Sequence, residues 1–144
     1  MEISEQNGKI ELKRVVMVKA IVTENFRDNL VQELERAVKK IDTQLTQMEF
    51  QAKKHAEELK KKGLAQQLSA FKQQYEQEKM RQQAAKADLT AKIEQARGLQ
   101  LGSLFIQGPI EGPVTVGVGD NLYKKVGGAE IIVKDGIIQE IQGV

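Results

Sequence analysis

The chain has no cysteine and no tryptophan, one histidine and two prolines among 144 residues, and only 4 % of it is aromatic. Without cysteine there is no disulfide framework and no thiol chemistry, which fits a reducing compartment. With His55 as the sole histidine, no Ser-His-Asp or Cys-His arrangement can form within one chain. Scarce aromatics suit thin helix-helix seams better than one thick core. No stretch approaches the roughly 18 consecutive apolar residues of a membrane span, and Met1 to Gly8 has neither the basic nor the apolar run of a secretion signal. The expectation is a cytoplasmic protein with no membrane partner. A net charge of +2 is too small to imply nucleic acid by itself.

What is present divides the chain in two. Residues 24 to 97 contain no proline and a single glycine, Gly63, whereas ten of the twelve glycines lie at or after Gly98. A helical part is thus followed by a part made of short runs and turns.

The helical part carries an unbroken spacing. Val31, Leu34, Val38, Ile41, Leu45, Met48, Ala52, His55 and Leu59 alternate three and four residues apart. Apolar residues about every 3.5 positions form the seam of a coiled coil, because that period keeps one stripe facing a partner helix. Thr23 or Asn25 can cap the helix start, and Glu24 and Asp28 add favourable charge near it. Lys60, Lys61 and Lys62 followed by Gly63 make a C-terminal signature. The seam loses phase at the same place: Leu59 is followed by Leu64, Leu68, Phe71 and Tyr75, a step of five. A helical hairpin with its tip near Gly63 accommodates that step, and one long rod is the alternative. The second helix has a poorer stripe of Leu64, Leu68, Phe71, Tyr75, Ala85, Leu89, Ile93 and Ala96, with Glu78 and Gln82 in the middle. Folding at Gly63 places Glu78 opposite Met48, Gln82 near Leu45, and His55 opposite Phe71 as a packing residue. Helix one therefore offers its best apolar side chains where helix two offers polar ones, which calls for a further helix from a second copy.

The flanking segments read as β-structure. In KIELKRVVMVKAIVT, residues 9 to 23, apolar residues recur at even positions from Ile10 to Val22 except at Arg14, and Val15, Met17 and Ile21 at odd positions are apolar too, so the second half is expected to be buried on both faces. After Gly98 come the short runs SLFIQG, PIEGP, VTVGVGDN and LYKKVGG, then AEIIVKDGIIQEI, where Asp135-Gly136 between two apolar runs is a two-residue hairpin signal. Pro109 and Pro113 belong at strand edges or turns. These last residues hold too little apolar mass to fold alone, so the N-terminal strand is expected to join them.

Chemistry-bearing motifs are few. The Gly-rich run Gly108 to Gly119 lacks the Gly-Lys-Ser/Thr of a phosphate loop and the third glycine of a dinucleotide fingerprint, so turn and bulge glycines explain it. Adjacent carboxylates such as Glu57 and Glu58 point to different helix faces and have basic neighbours, as surface ion-pair partners do. Lys53, Lys54, Lys60, Lys61 and Lys62 form the one local basic excess, a solvated helix end or a patch for an anionic partner. Tyr123, Lys124 and Lys125 with Phe105 are a thin platform for single-stranded nucleic acid.

The stretch KRVVMVKAIVTENFRDNLVQELERAVKKIDTQLTQMEFQ together with AEIIVKDGIIQEI resembles the YlqD family of small bacterial and cyanobacterial proteins over roughly residues 10 to 141. The resemblance brings no activity, cofactor or site residue. Genes of that family lie, in some bacteria, beside genes for ribosome maturation and RNA binding, which implies a translation-associated role. A helical hairpin between β-segments and the Val118-Gly119-Asp120 turn also look like periplasmic pump adaptors, but those need an export signal or anchor.

The expected fold is α+β: a long antiparallel coiled-coil hairpin on a small β-sheet or partly open barrel built from both termini. The expected divisions are a polar tail at 1–8, a strand at 9–23, the hairpin at 24–98 and a β-rich segment at 99–144. The expected function is that of a non-enzymatic interaction or scaffold protein without cofactor or metal. It would assemble with itself, as a dimer, through Val31, Leu34, Val38, Ile41, Leu45, Met48 and Leu59, and bind a further protein. The alternative is an RNA- or ribosome-associated accessory protein using Lys53, Lys54, Lys60, Lys61 and Lys62 or the face of Tyr123, Lys124 and Lys125.

Overall fold

A computed structural model describes residues 8–143, so the polar tail expected at 1–8 lies outside the described residues except for Gly8. The elements in chain order are β1 (Lys9–Ile21), α1 (Glu24–Lys61), α2 (Ala65–Arg97), β2 (Leu104–Gly117), α3 (Leu122–Val126), β3 (Ala129–Lys134) and β4 (Ile137–Gln142). They form two compact units: a sheet unit from 8–26 and 99–143, and a helical unit of residues 27–98.

The sheet has the order β2-β1-β3-β4 and stays open; it does not close into a barrel. The N-terminal strand occupies the interior, pairing antiparallel with β2 from Lys9↔Gly117 to Ile21↔Leu104 and parallel with β3 from Val16↔Ala129 to Ala20↔Val133. Opposed residues share a face, which puts Ile10, Leu12, Val16, Val18 and Ala20 beside Val116, Val114, Ile110, Gly108 and Phe105. This face holds buried Ala20 and Val116, whereas Lys9, Glu11, Lys13, Thr115 and Glu111 on the other are exposed. The alternation in β1 is thus a one-sided pattern over its first half. From Val16 on every residue is at least half-buried, but Val15 stays exposed.

The segment after Gly98 departs from the expected short runs. Leu104 to Gly117 is one strand of 14 residues that passes straight through Pro109 and Pro113. A proline cannot donate to a ladder, but β2 has only β1 beside it, and donors on its outer side have no partner to lose. One extra residue, Gln107, sits between Ile106 and Gly108, which oppose the adjacent Lys19 and Val18; this is a β-bulge. LYKKV, read as another short run, is a helical turn whose cap Asn121 accepts at Oδ1 from the Lys124 N–H at 3.2 Å. The Asp135-Gly136 hairpin forms as expected. Both residues have positive φ, 48° and 84°, as the turn that matches strand twist requires.

Thr23 is the cap of α1: its Oγ1 accepts from the Phe26 N–H at 3.0 Å, while its hydroxyl donates to Asp135 Oδ1 at 2.6 Å. The helix start is therefore tied to the β-hairpin turn. Phe26 then packs on Phe105 with ring centroids 5.3 Å apart.

In the helical unit α1 ends where Gly63 takes φ +69°, with the Gly63 N–H bonded to the Lys60 carbonyl and the Leu64 N–H to that of Leu59. α2 returns along α1. The hairpin is the form adopted, and its reversal places His55 against Phe71 with centroids 4.5 Å apart, edge to face. Spin labels at residues 31 and 95 of one chain are expected within about 20 Å, given helix axes about 10 Å apart plus the label arms. A continuous rod would separate them by about 96 Å at 1.5 Å per residue, which a dipolar distance measurement distinguishes at once.

Candidate interaction surface

The seam residues of α1 lie on one stripe. Val31, Leu34, Val38, Ile41, Leu45 and Met48 are all half-buried and Ala52 and Leu59 are buried; His55 is the exposed member, resting its ring on Phe71. The second helix answers unevenly. Leu68, Phe71 and Tyr75 near the tip and Leu89, Ile93 and Ala96 at the other end face inward, but between them the half-buried positions are Glu78, Lys79, Gln82 and Lys86. The sequence pattern placed Ala85 on this stripe. It is exposed, and Lys86 takes the inward place because its Nζ reaches Asp42 Oδ1 at 2.7 Å. Gln82 donates to Glu78 Oε1 at 3.2 Å, so the polar middle is knit to itself and to Asp42 rather than to Leu45 or Met48.

Burial makes the same point. Among the described residues of the helical unit only Ala52, Leu59, Ile93 and Ala96 are buried, all toward the two ends. Between Val31 and Met48 no side chain of α1 is buried. Met48, Ala52, His55, Phe71, Tyr75 and Glu78 line a groove on one side of the hairpin. Phe50 and Met80 stand largely in solvent, at 68 % and 67 % exposure. Interhelical ion pairs, Asp42 with Lys86 and Glu35 with Arg97 at 3.0 Å, set the pairing of the two helices, each part-exposed and worth little alone.

All five residues of the basic cluster, Lys53, Lys54, Lys60, Lys61 and Lys62, are exposed. Lys53 pairs with Glu49 at 3.5 Å, and the Lys54 ammonium stands 5.9 Å from the centroid of the Phe50 ring. In the sheet unit, Tyr123 is exposed with Lys124 and Lys125, but Phe105 faces Phe26, so the two aromatics do not make one platform. Gly108 to Gly119 runs along β2 into a turn closed by Asp120, whose Oδ2 accepts from the Gly117 N–H at 2.9 Å. Among the described residues no group of three or more His, Asp or Glu side chains is placed to hold a metal ion, and no helix is long and apolar enough to cross a membrane.

The feature that sequence reasoning noted without explaining is Arg14. On the apolar face of β1 its guanidinium donates to the carbonyl of Gly143 and, at 3.4 Å, to that of Gly127. It fastens the end of α3 and the chain beyond β4 onto the sheet. The signal was the single interruption of the alternation at Arg14.

The family model described as YlqD protein matches residues 10–142 of the chain. A crystal structure of a protein of unknown function from Synechococcus sp. WH 8102 is similar, with a TM-score of 0.82 and 26 % sequence identity over 93 % of this chain and 95 % of that one. No curated protein matches.

Proposed function

We propose, from the premise that this chain belongs to the YlqD family, that it is a non-enzymatic interaction protein whose helical hairpin completes its core against a helix of a second copy. One observation carries the reading: the stripe from Val31 to Met48 is apolar and only half-buried, while the facing stretch of α2 presents Glu78, Gln82 and Lys86. A seam half covered by polar groups forgoes much of the roughly 1.5 to 3 kcal/mol that full burial of each Leu or Ile contributes. A second copy laid on Ile41, Leu45 and Met48 recovers it, and the isologous contact of a two-fold dimer is the simplest way.

Leu45→Asp tests this. The expected result is a lower particle mass in multi-angle light scattering, with helical circular dichroism retained. An unchanged mass overturns the reading. A second reading, an RNA-associated accessory protein, has support in Lys60, Lys61 and Lys62, which are exposed with no ion-pair partner among the described residues. It is distinguished by binding to ribosomal RNA that weakens steeply with salt and is lost when these lysines become Gln.

A further inference from the structure

The two edges of the sheet are unlike. β2 carries two prolines, which offer no N–H to a neighbour, and a bulge at Gln107. These are the ordinary devices that keep an edge from pairing. β4, the other edge, shares the bulge, at Gln139, but IIQEIQ has no proline, no lysine and no arginine, so it keeps every backbone N–H, and all six of its residues are exposed. Ile137, Ile138 and Ile141 are 66 %, 55 % and 54 % exposed, a high fraction for isoleucine in a sheet.

We infer that β4 is a self-pairing edge, and that its occupant is β4 of a second copy, antiparallel across a two-fold axis. The strand is complementary to itself in one register. Ile138 opposes Val133 and Ile141 opposes Ile131, with Gln139 as the extra residue between, so both isoleucines point to the same face although they are three positions apart. Ile137 and Gln142, opposite Lys134 and Glu130, point to the other. Pairing Ile138 with the second copy's Ile141 therefore matches faces, brings Ile137 against Gln142, uses all six residues and gathers four isoleucines in one cluster. It also sets Glu140 opposite Gln139, an amide that can donate to the carboxylate. A shift of one residue either way sets isoleucines against the opposite face, and one of the two shifts brings Glu140 against its own copy. Charge, face and length thus select the same register. This surface is separate from the helical seam and does not depend on it.

The test uses the full chain with the seam disabled by Leu45→Asp. In sedimentation velocity this protein is expected to remain self-associated, and adding Ile138→Lys and Ile141→Lys is expected to weaken that association at least tenfold. Hydrogen exchange of peptide 137–142 in the Leu45→Asp protein is expected to slow as protein concentration rises, a readout that needs no further variant. A Leu45→Asp protein that is monomeric at all concentrations, with exchange at 137–142 independent of concentration, overturns the proposal. If Leu45→Asp leaves the wild-type mass intact while Ile138→Lys with Ile141→Lys reduces it, the β4 pairing stands and the seam reading fails.

Discussion

Val22→Asp is expected to abolish the sheet unit in the absence of denaturant. Val22 is 1 % exposed, the most deeply buried side chain described, and its backbone is held at both ends: its N–H donates to the Ser103 carbonyl and its own carbonyl accepts from the Gly102 N–H, each at 2.8 Å. The strand therefore cannot turn the new side chain outward without breaking both bonds. Removing the valine forfeits roughly 1.5 to 3 kcal/mol of burial, and a carboxylate taken out of water costs several more unless it stays protonated. The sum, about 5 kcal/mol or above, reaches the whole stability of a small domain. Loss of the dispersed strand amide signals in a nitrogen-proton correlation spectrum is the expected observation. Val22→Thr, which keeps the shape and exchanges one methyl for a hydroxyl, should lower stability by only about 1 to 2 kcal/mol in urea titration. A Val22→Asp protein with the wild-type midpoint would show that the buried centre of this unit lies elsewhere.

Arg14→Met is the second large effect, and it is local. The guanidinium spans the carbonyls of Gly143 and Gly127, and a charged donor to such acceptors contributes about 1.5 to 3 kcal/mol where the geometry is good. The Gly127 bond is long at 3.4 Å, and the buried Nε of Arg14 has no acceptor, a cost that methionine removes. The net loss is therefore expected near 2 kcal/mol, read as a lower urea midpoint at unchanged slope. Hydrogen exchange should accelerate at residues 127–129 and 141–143 and change little in the middle of β1. Uniform acceleration through the sheet would mean that Arg14 supports the strand itself rather than the segments laid over it.

These two residues also mark what the sequence discloses. Local signals were decisive where one segment determines its own conformation. The 3–4 spacing and Lys60-Lys61-Lys62-Gly63 yield helices ending at Lys61 and Arg97, and Asp135-Gly136 yields the hairpin. The opposition of His55 and Phe71 followed from the turn position alone. Where a neighbour decides, local signals misled. The glycines and prolines after Gly98 divide the sequence into short runs, yet one strand runs from Leu104 to Gly117, and Pro109 and Pro113 take the edge-strand places open to them. Ala85 fits the apolar stripe better than Lys86, yet Asp42 on the other helix draws the lysine inward. Arg14 looked like a defect until its two carbonyl partners, more than a hundred positions away in sequence, were in place. The self-association surfaces belong to the same class: a half-covered stripe is visible in one chain, whereas what covers it is a property of two.

The interior place of β1 has a consequence for how the protein is made. Lys9 to Ile21 leaves the ribosome before the two long helices, but its partners β2 and β3 follow them, with Lys9 opposite Gly117. Through most of translation KIELKRVVMVKAI is a nascent apolar strand with two open sides, the condition in which chains misassociate. The hairpin, by contrast, can start from contacts close in sequence at its tip, where His55 meets Phe71, and zip outward from there. Once closed, it shortens the path between β1 and its partners from a loop of some eighty residues to the few at its two ends, which reduces the entropy of bringing them together. The long helices are then a folding device as well as a surface: they carry the first strand to the last ones.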